Sequence, residues 1–159
     1  MPDGLFKTDP IISQNFFLEI DGEVVTALMT VGGLDVEVSV ATIQQAGKDG
    51  KQQLIKTLGA TTAAPDLTLT RVSPAKMEGD KLWEWFNNIR EKGILNSDRS
   101  NNRKNGSVVM YDHTHAELAR FNFFNGWPSK ISTDQLSVDS SDAVKETITL
   151  TIERLARVK

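Results

Sequence analysis

The sequence predicts a mainly β fold, a small barrel or sandwich of antiparallel strands with one flanking α-helix. Three observations carry this expectation. Alternating apolar and polar runs are punctuated by the turn dipeptides Asp21-Gly22 and Gly32-Gly33. One stretch, residues 80–92, has a helical rather than a strand period. The 159 residues include no cysteine, so an apolar core and not a disulfide frame must hold the chain. That length fits one domain, 1–159, with residues 1–14 as an N-terminal segment.

The elements follow in order. Asn15 to Gln45 reads as three consecutive strands. In the third, Asp35 to Ile43, Val36, Val38 and Val40 fall on one face and Glu37, Ser39 and Ala41 on the other, as a half-buried strand requires. Residues 46–64 then break the rhythm with three glycines, three lysines and only Leu54, Ile55 and Leu58 as large apolar residues. An extended excursion of about 19 residues is uncommon in a compact domain, and it predicts an interaction loop or a hairpin supported from outside the monomer.

A strand resumes at Asp66 to Val72, with Leu67, Leu69 and Arg71 alternating against Thr68, Thr70 and Val72. Leu82, Trp85, Phe86 and Ile89 then form the stripe of an amphipathic helix, with Asp80 as N-cap and Gly93 as stop. Trp83 and Trp85 lie about 200° apart on that helix, so the two indoles face different surroundings. After a polar connection come strands at Ser107–Asp112 and Glu117–Asn125, then a last long strand, Ala143–Leu155. There Ile148, Leu150 and Ile152 alternate with Lys145, Thr147, Thr149, Thr151 and Glu153. Between them, "FNFFNGWPSK" reads as a fold corner: Phe121 and Phe123 join Ala119 in the core, Gly126 and Pro128 bend the chain, and Trp127 packs over the bend ahead of Lys130.

Charge excludes some functions. The formal net charge of −3 disfavours a dedicated nucleic-acid or anionic-membrane binder. Its distribution is uneven: residues 1–47 carry Asp3, Asp9, Glu19, Asp21, Glu23, Asp35 and Glu37 against Lys7, whereas residues 48–120 hold twelve Lys and Arg against nine Asp and Glu. The N-terminus lacks the charged and apolar regions of a secretory signal, which implies cytoplasmic synthesis.

Catalytic chemistry finds little material, and no enzyme or cofactor is expected. Asp112, His113 and His115 could offer metal-ligand atoms, but with no other histidine and no cysteine they read as a polar hairpin tip. No Gly-x-Ser-x-Gly elbow appears, and the glycines at 47, 50 and 59 do not form a phosphate-binding loop. Asp35 and Glu37 share a strand face but sit in the acidic third of the chain, where solvated surface is the simpler reading. An RNA-binding barrel presenting Arg120, Asn122 and Phe124 from one face is a further alternative, opposed by the lack of basic excess.

Several segments in order resemble one family over about 145 residues: Asp9-Pro10, "FFLEIDG", "VGGL", the long loop, "LTLTRV", "LWEWF", "ARFNFFNGWPSKI" and "AVKETITLTIE". The chain resembles tail tube proteins of contractile phages, more closely the inner-tube proteins of phage-tail-like contractile injection systems, and distantly the haemolysin-coregulated protein of type VI secretion. It departs from the family pattern at Phe121, commonly Trp, at Gly126, commonly Ala, and at Val72, usually Gly.

The resemblance implies hexameric rings that stack into a hollow conduit. Contacts between rings would run through residues 1–14 and the 46–64 loop, with Lys48, Lys51, Leu54, Ile55, Lys56 and Leu58 as stacking residues. The lumen would be faced by Asp35, Glu37, Ser39, Lys145, Thr147, Thr149 and Thr151, while Trp127, Pro128 and Lys130 would serve the corner and assembly. Implied partners are further copies of the chain, a contractile sheath, baseplate or spike proteins, and effectors or DNA as cargo. Alternatives are a minor tube paralogue joining spike or baseplate to tube, and a monomeric binding barrel.

Overall fold

A computed structural model describes residues 15–59, 64–92, 102–139 and 141–159. Residues 1–14, assigned above to ring contacts, lie outside the described residues. The chain forms β1 (Asn15–Ile20), β2 (Glu23–Leu28), β3 (Thr30–Gly32), β4 (Val40–Ala46), β5 (Gln52–Leu58), β6 (Leu67–Val72), α1 (Lys81–Lys92), β7 (Lys104–Tyr111), β8 (Glu117–Thr133), β9 (Lys145–Thr151) and β10 (Arg154–Arg157). Every strand pairing among the described residues is antiparallel.

The sheets are not closed into a barrel, and of the two architectures expected the sandwich is the one formed. Its path runs β2-β1-β7-β8-β9-β6-β3, with β10 on the free side of β8. Two segments of chain turn the corners between layers. The long β8 pairs with β7 and β10 through its first half and with β9 through its second, from Trp127 onward. At the other side β2 and β3 are separated only by Met29, whose N–H already donates to the Thr70 carbonyl of β6 at 2.7 Å. Strands that change sheets at bends and bulges are how sandwiches make such corners.

Period-2 patterning fills the space between layers. Leu18, Ile20, Val108 and Phe123 come from the first layer, Leu67, Leu69, Ile148 and Leu150 from the second, and Leu82 and Trp85 from α1. The Phe123 ring lies on two glycines: a β-carbon would approach it to 2.5 Å from Gly106 and to 2.9 Å from Gly126. Both positions therefore exclude any side chain. The hairpin between β1 and β2 turns on Asp21 (φ 53°) and Gly22 (φ 82°), the left-handed pair that a two-residue type I′ turn demands.

Helix α1 starts where the stripe places it. The Asp80 carboxylate accepts from Leu82 N–H at 3.3 Å, as an N-cap should. The two indoles do part company: Trp85 is buried and donates to the Asn102 carbonyl at 2.6 Å, whereas Trp83 donates to Glu146 Oε1 at 3.2 Å. The expected stop, Gly93, is outside the described residues.

Two sequence expectations need correction and one is sharpened. The third strand does not span Asp35 to Ile43: residues 33–39 form no strand, Val36 and Val38 are each 60% exposed, and pairing begins at Val40. The alternation there is real, but among the described residues no layer lies over it. Within the 46–64 excursion, read as an extended loop, Gln52–Leu58 is strand: β5 pairs with β4 along its whole length, the hairpin form of the expectation. The last strand, read as continuous from Ala143 to Leu155, breaks after Thr151, and β10 returns to pair with residues 121–124 of β8.

Candidate assembly surfaces

Three surfaces stand out, beginning with the hairpin β4–β5, which forms a two-stranded sheet of its own. Its turn is closed by Gly47 N–H on the Lys51 carbonyl at 2.8 Å, with Gly50 at φ 72°. At its base Gly59 N–H donates to the Ser39 carbonyl at 2.6 Å. The register puts Val40, Leu54, Lys56 and Leu58 on one face and pairs Ile43 with Ile55 on the other. All five apolar side chains are exposed. A two-stranded ribbon with apolar residues on both faces, and neither face covered among the described residues, is marginal by itself. Lys48 and Lys51 flank the turn, and both are exposed.

A second surface is the outer face of the β8-β9-β6-β3 layer. Cross-strand pairing aligns Ser132, Thr147, Thr70 and Thr30 in one row and Lys130, Thr149, Thr68 and Gly32 in the next. Thr151 stands opposite Trp127, and Lys145 opposite Val72. The threonine alternation of β9 was legible in sequence; its continuation through Thr30, Thr68, Thr70 and Ser132 depends on strand order and was not. Asp35 and Glu37 do not join this face. With Val36, Val38 and residues 153–157 they line a cavity of about 580 Å³ beside β10, and Ser39 sits at the base of the hairpin.

At the β8 corner Asn125 adopts φ 52° and the pairing shifts register between Pro128 and Lys130. Trp127 is half-buried against the core, and the Arg103 guanidinium stacks 4.3 Å from its ring centroid. Arg103 also pairs with Glu153, which accepts from Asn125 Nδ2 at 2.9 Å. The strand does not stop at Pro128, which sits opposite Leu150.

Two charged networks escaped the sequence reading. Arg71 and Glu146 are cross-strand partners, and both are buried. Arg71 donates from Nε and Nη2 to Glu146 Oε2 at 3.2 and 3.1 Å, and from Nη1 to Asp80 Oδ1 at 3.2 Å. Ser73 Oγ at 3.0 Å and the Trp83 indole complete the shell around Glu146 Oε1. The cluster ties the start of α1 to the second layer.

On the outer face of the first layer Arg120 donates to Glu117 at 2.7 Å and to Glu19 at 2.8 Å, and the Tyr111 hydroxyl donates to Glu19 at 3.0 Å. The Arg120 hydrogen bond holds the Glu117 carboxyl below the usual glutamate range. Burial, then the Glu19 hydrogen bond, pushes the Tyr111 phenol up. Two carboxylates thus neutralise the cation of the RNA-binding alternative; Asn122 accepts from Ser107 at 2.7 Å, and Phe124 lies under Arg154.

His113 and His115 are exposed in a turn that Asp112 organises, accepting through one oxygen from Thr114 N–H at 2.8 Å, Thr114 Oγ1 at 2.7 Å and Ala116 N–H at 2.9 Å. These bonds, the Thr114 hydroxyl first, lower the Asp112 pKa. Among the described residues no three His, Cys, Asp or Glu side chains are placed to hold a metal ion.

The family model of the T4-like virus tail tube protein gp19 matches residues 13–156. The chain belongs to that family. Among solved structures, the cap that terminates the tube of the anti-feeding prophage is similar at TM-score 0.75 and 20% identity, covering 99% of this chain and 96% of that one. The extended sheath–tube complex of an extracellular contractile injection system gives 0.71 at 23% identity, covering 94% and 91%. Hcp1 from Flavobacterium johnsoniae gives 0.50 at 16% identity, covering 91% and 94%. No curated protein matches the sequence significantly. No helix among the described residues is long and apolar enough to cross a membrane.

Proposed function

We propose that this tail tube family member is a structural subunit of the inner tube of a contractile injection particle or phage tail. Copies close into a hexameric ring, and rings stack into a hollow conduit within a sheath and above a baseplate. Effectors or DNA pass through it, and the subunit performs no catalysis. The observation that carries the reading is the β4–β5 arm, with exposed apolar side chains on both faces and no covering layer among the described residues. Such a ribbon gains stability when copies enclose it, which offsets the cost of ordering it.

Lys48, Lys51, Leu54, Ile55, Lys56 and Leu58 act as the stacking residues, joined by segment 1–14. The row of Thr147, Thr149 and Thr151, bounded by Lys145, faces the lumen, where hydroxyls give a passing chain no apolar foothold. Trp127, Pro128 and Lys130 shape the corner from which that wall begins. The chain is made in the cytoplasm and leaves as part of the particle.

Negative-stain electron microscopy across a concentration series, with light-scattering mass on the same samples, tests this. Rings with a central hole that stack as concentration rises are expected. A monomer at every concentration would overturn the reading. Single rings that never stack would instead favour a terminal or spike-adjacent paralogue, a role consistent with the similarity to a tube-terminating cap.

A further inference from the structure

We propose that the arm of one copy docks on the opposite end of the second layer of the next copy, on the surface built by residues 134–139 and 141–144. The inference rests on the stacking reading above and adds to it the receiving surface.

Topology separates the two surfaces. The arm is inserted between Gly32 of β3 and Leu67 of β6, and these strand ends lie together, since Gly32 pairs with Thr68. Segment 134–144 joins Thr133 of β8 to Lys145 of β9, and Lys145 pairs with Val72 at the far end of β6. Six residues of β6 therefore separate the point where the chain leaves the layer for the arm from the segment, roughly 20 Å along the strands. A head-to-tail contact needs its two surfaces at opposite ends, because only a heterologous contact propagates without closing.

Exposed apolar side chains partition the same way. Those on the arm and its root are matched at the far end by Val72, Met77, Leu136, Val138 and Val144, with Val138 fully exposed. Elsewhere among the described residues only Val24, Met29 and Val158 are large, apolar and exposed. The far end also offers a groove of about 420 Å³, lined by Asp134, Leu136, Val138, Asp142, Val144 and Lys145.

Charge supplies the complement. The arm, residues 40–58, holds Lys48, Lys51 and Lys56 against Asp49, whereas the far-end surface holds Asp134, Asp139 and Asp142 against Lys145. The arm face with Leu54, Lys56 and Leu58 matches both features, an apolar centre with a cation beside it. The other face, with Ile43 and Ile55, stays available for a further copy.

Because the chain has no cysteine, introduced thiols report cleanly. The single variant Leu54→Cys is mixed with Leu136→Cys or Val138→Cys, assembled, checked for stacks by electron microscopy, and treated with oxidant or a short bismaleimide. The expected result is a covalent dimer of the two variants, and a ladder extending beyond a single ring when Leu54→Cys and Val138→Cys are combined in one chain. Val24→Cys serves as the position that should not react with Leu54→Cys. Stacks in which Leu54→Cys joins neither far-end position overturn the receiving surface and leave the tube reading standing; absence of stacks for the unaltered chain removes both.

Charge reversal gives a second arm. Lys48→Glu with Lys51→Glu should abolish stacking, and Asp134→Lys with Asp139→Lys in the same chain should restore it. Loss without restoration also overturns the receiving surface.

Discussion

Arg71 is one buried cation held between two carboxylates, Asp80 and Glu146, and its value lies in what its removal leaves behind. In Arg71→Met the two carboxylates would face each other in the interior with no compensating charge. Removing one partner of a buried ion cluster costs about 3–5 kcal/mol, which for a domain of this size lowers Tm by on the order of 10 °C. Trp83→Phe removes one hydrogen bond from a Glu146 that keeps its others, a loss of about 1 kcal/mol. Thermal melts of the two variants check the ordering, and equal small losses would refute the account.

Glu117 makes a pH prediction. Its folded pKa lies below the unfolded value, so the group stabilises the fold above about pH 4.5 and loses that contribution as pH falls through the folded value. Glu117→Gln should lower Tm at neutral pH and flatten the decline between about pH 4.5 and the acid limit. Tyr111 acts on the alkaline limb with the opposite sign: its raised pKa gives stability present below about pH 10 and lost as the phenol ionises. Melts recorded from acid to alkaline pH separate the two limbs.

At the scale of elements, the arm and the body differ in what they bury. The strands of the body place one face in a shared core, whereas among the described residues β4 and β5 pair only with each other. Replacing residues 41–57 by a short Gly-Ser linker should therefore leave the Tm of the body within a few degrees, since exposed side chains contribute within about 0.5 kcal/mol each. The same replacement should abolish stacking. A large loss of Tm on removing the arm, seen by calorimetry, would mean that it braces the subunit. The sequence announced the arm as an irregular excursion because Gly47, Lys48, Asp49 and Gly50 interrupt the alternation. It hid β5 because Gln52 to Leu58 carries polar and apolar residues on both faces, and periodicity detects a strand only when one face is buried.

At the scale of the molecule, the corners decide what the layers can present. β8 serves both layers, so the aromatic half that fills the core and the polar half that pairs with β9 are rigidly continuous. That continuity places the hydroxyl rows and the 134–144 segment on one four-stranded layer, with the arm leaving the other end. A subunit with complementary ends grows an open polymer, so the light-scattering mass should keep rising with concentration. A plateau at the mass of one ring would instead identify a terminal subunit.

What the sequence determined by itself is local: the β class, the helix at 80–92, the Asp21-Gly22 turn, the alternation that buries Ile148 and Leu150, and the motif order that resembles tail tube proteins. These depend on period, turn chemistry and composition, all carried by near neighbours in the chain. Only the tertiary structure decided which alternations find a layer to cover them, and so why Val36 and Val38 stay exposed while Val108 is buried. It also decided that Arg71 meets Glu146 across 75 residues, and that Thr147 extends a row through Thr70 to Thr30. Strand order and register are non-local, and two equally alternating strands differ in burial only through the partner that lands beside them.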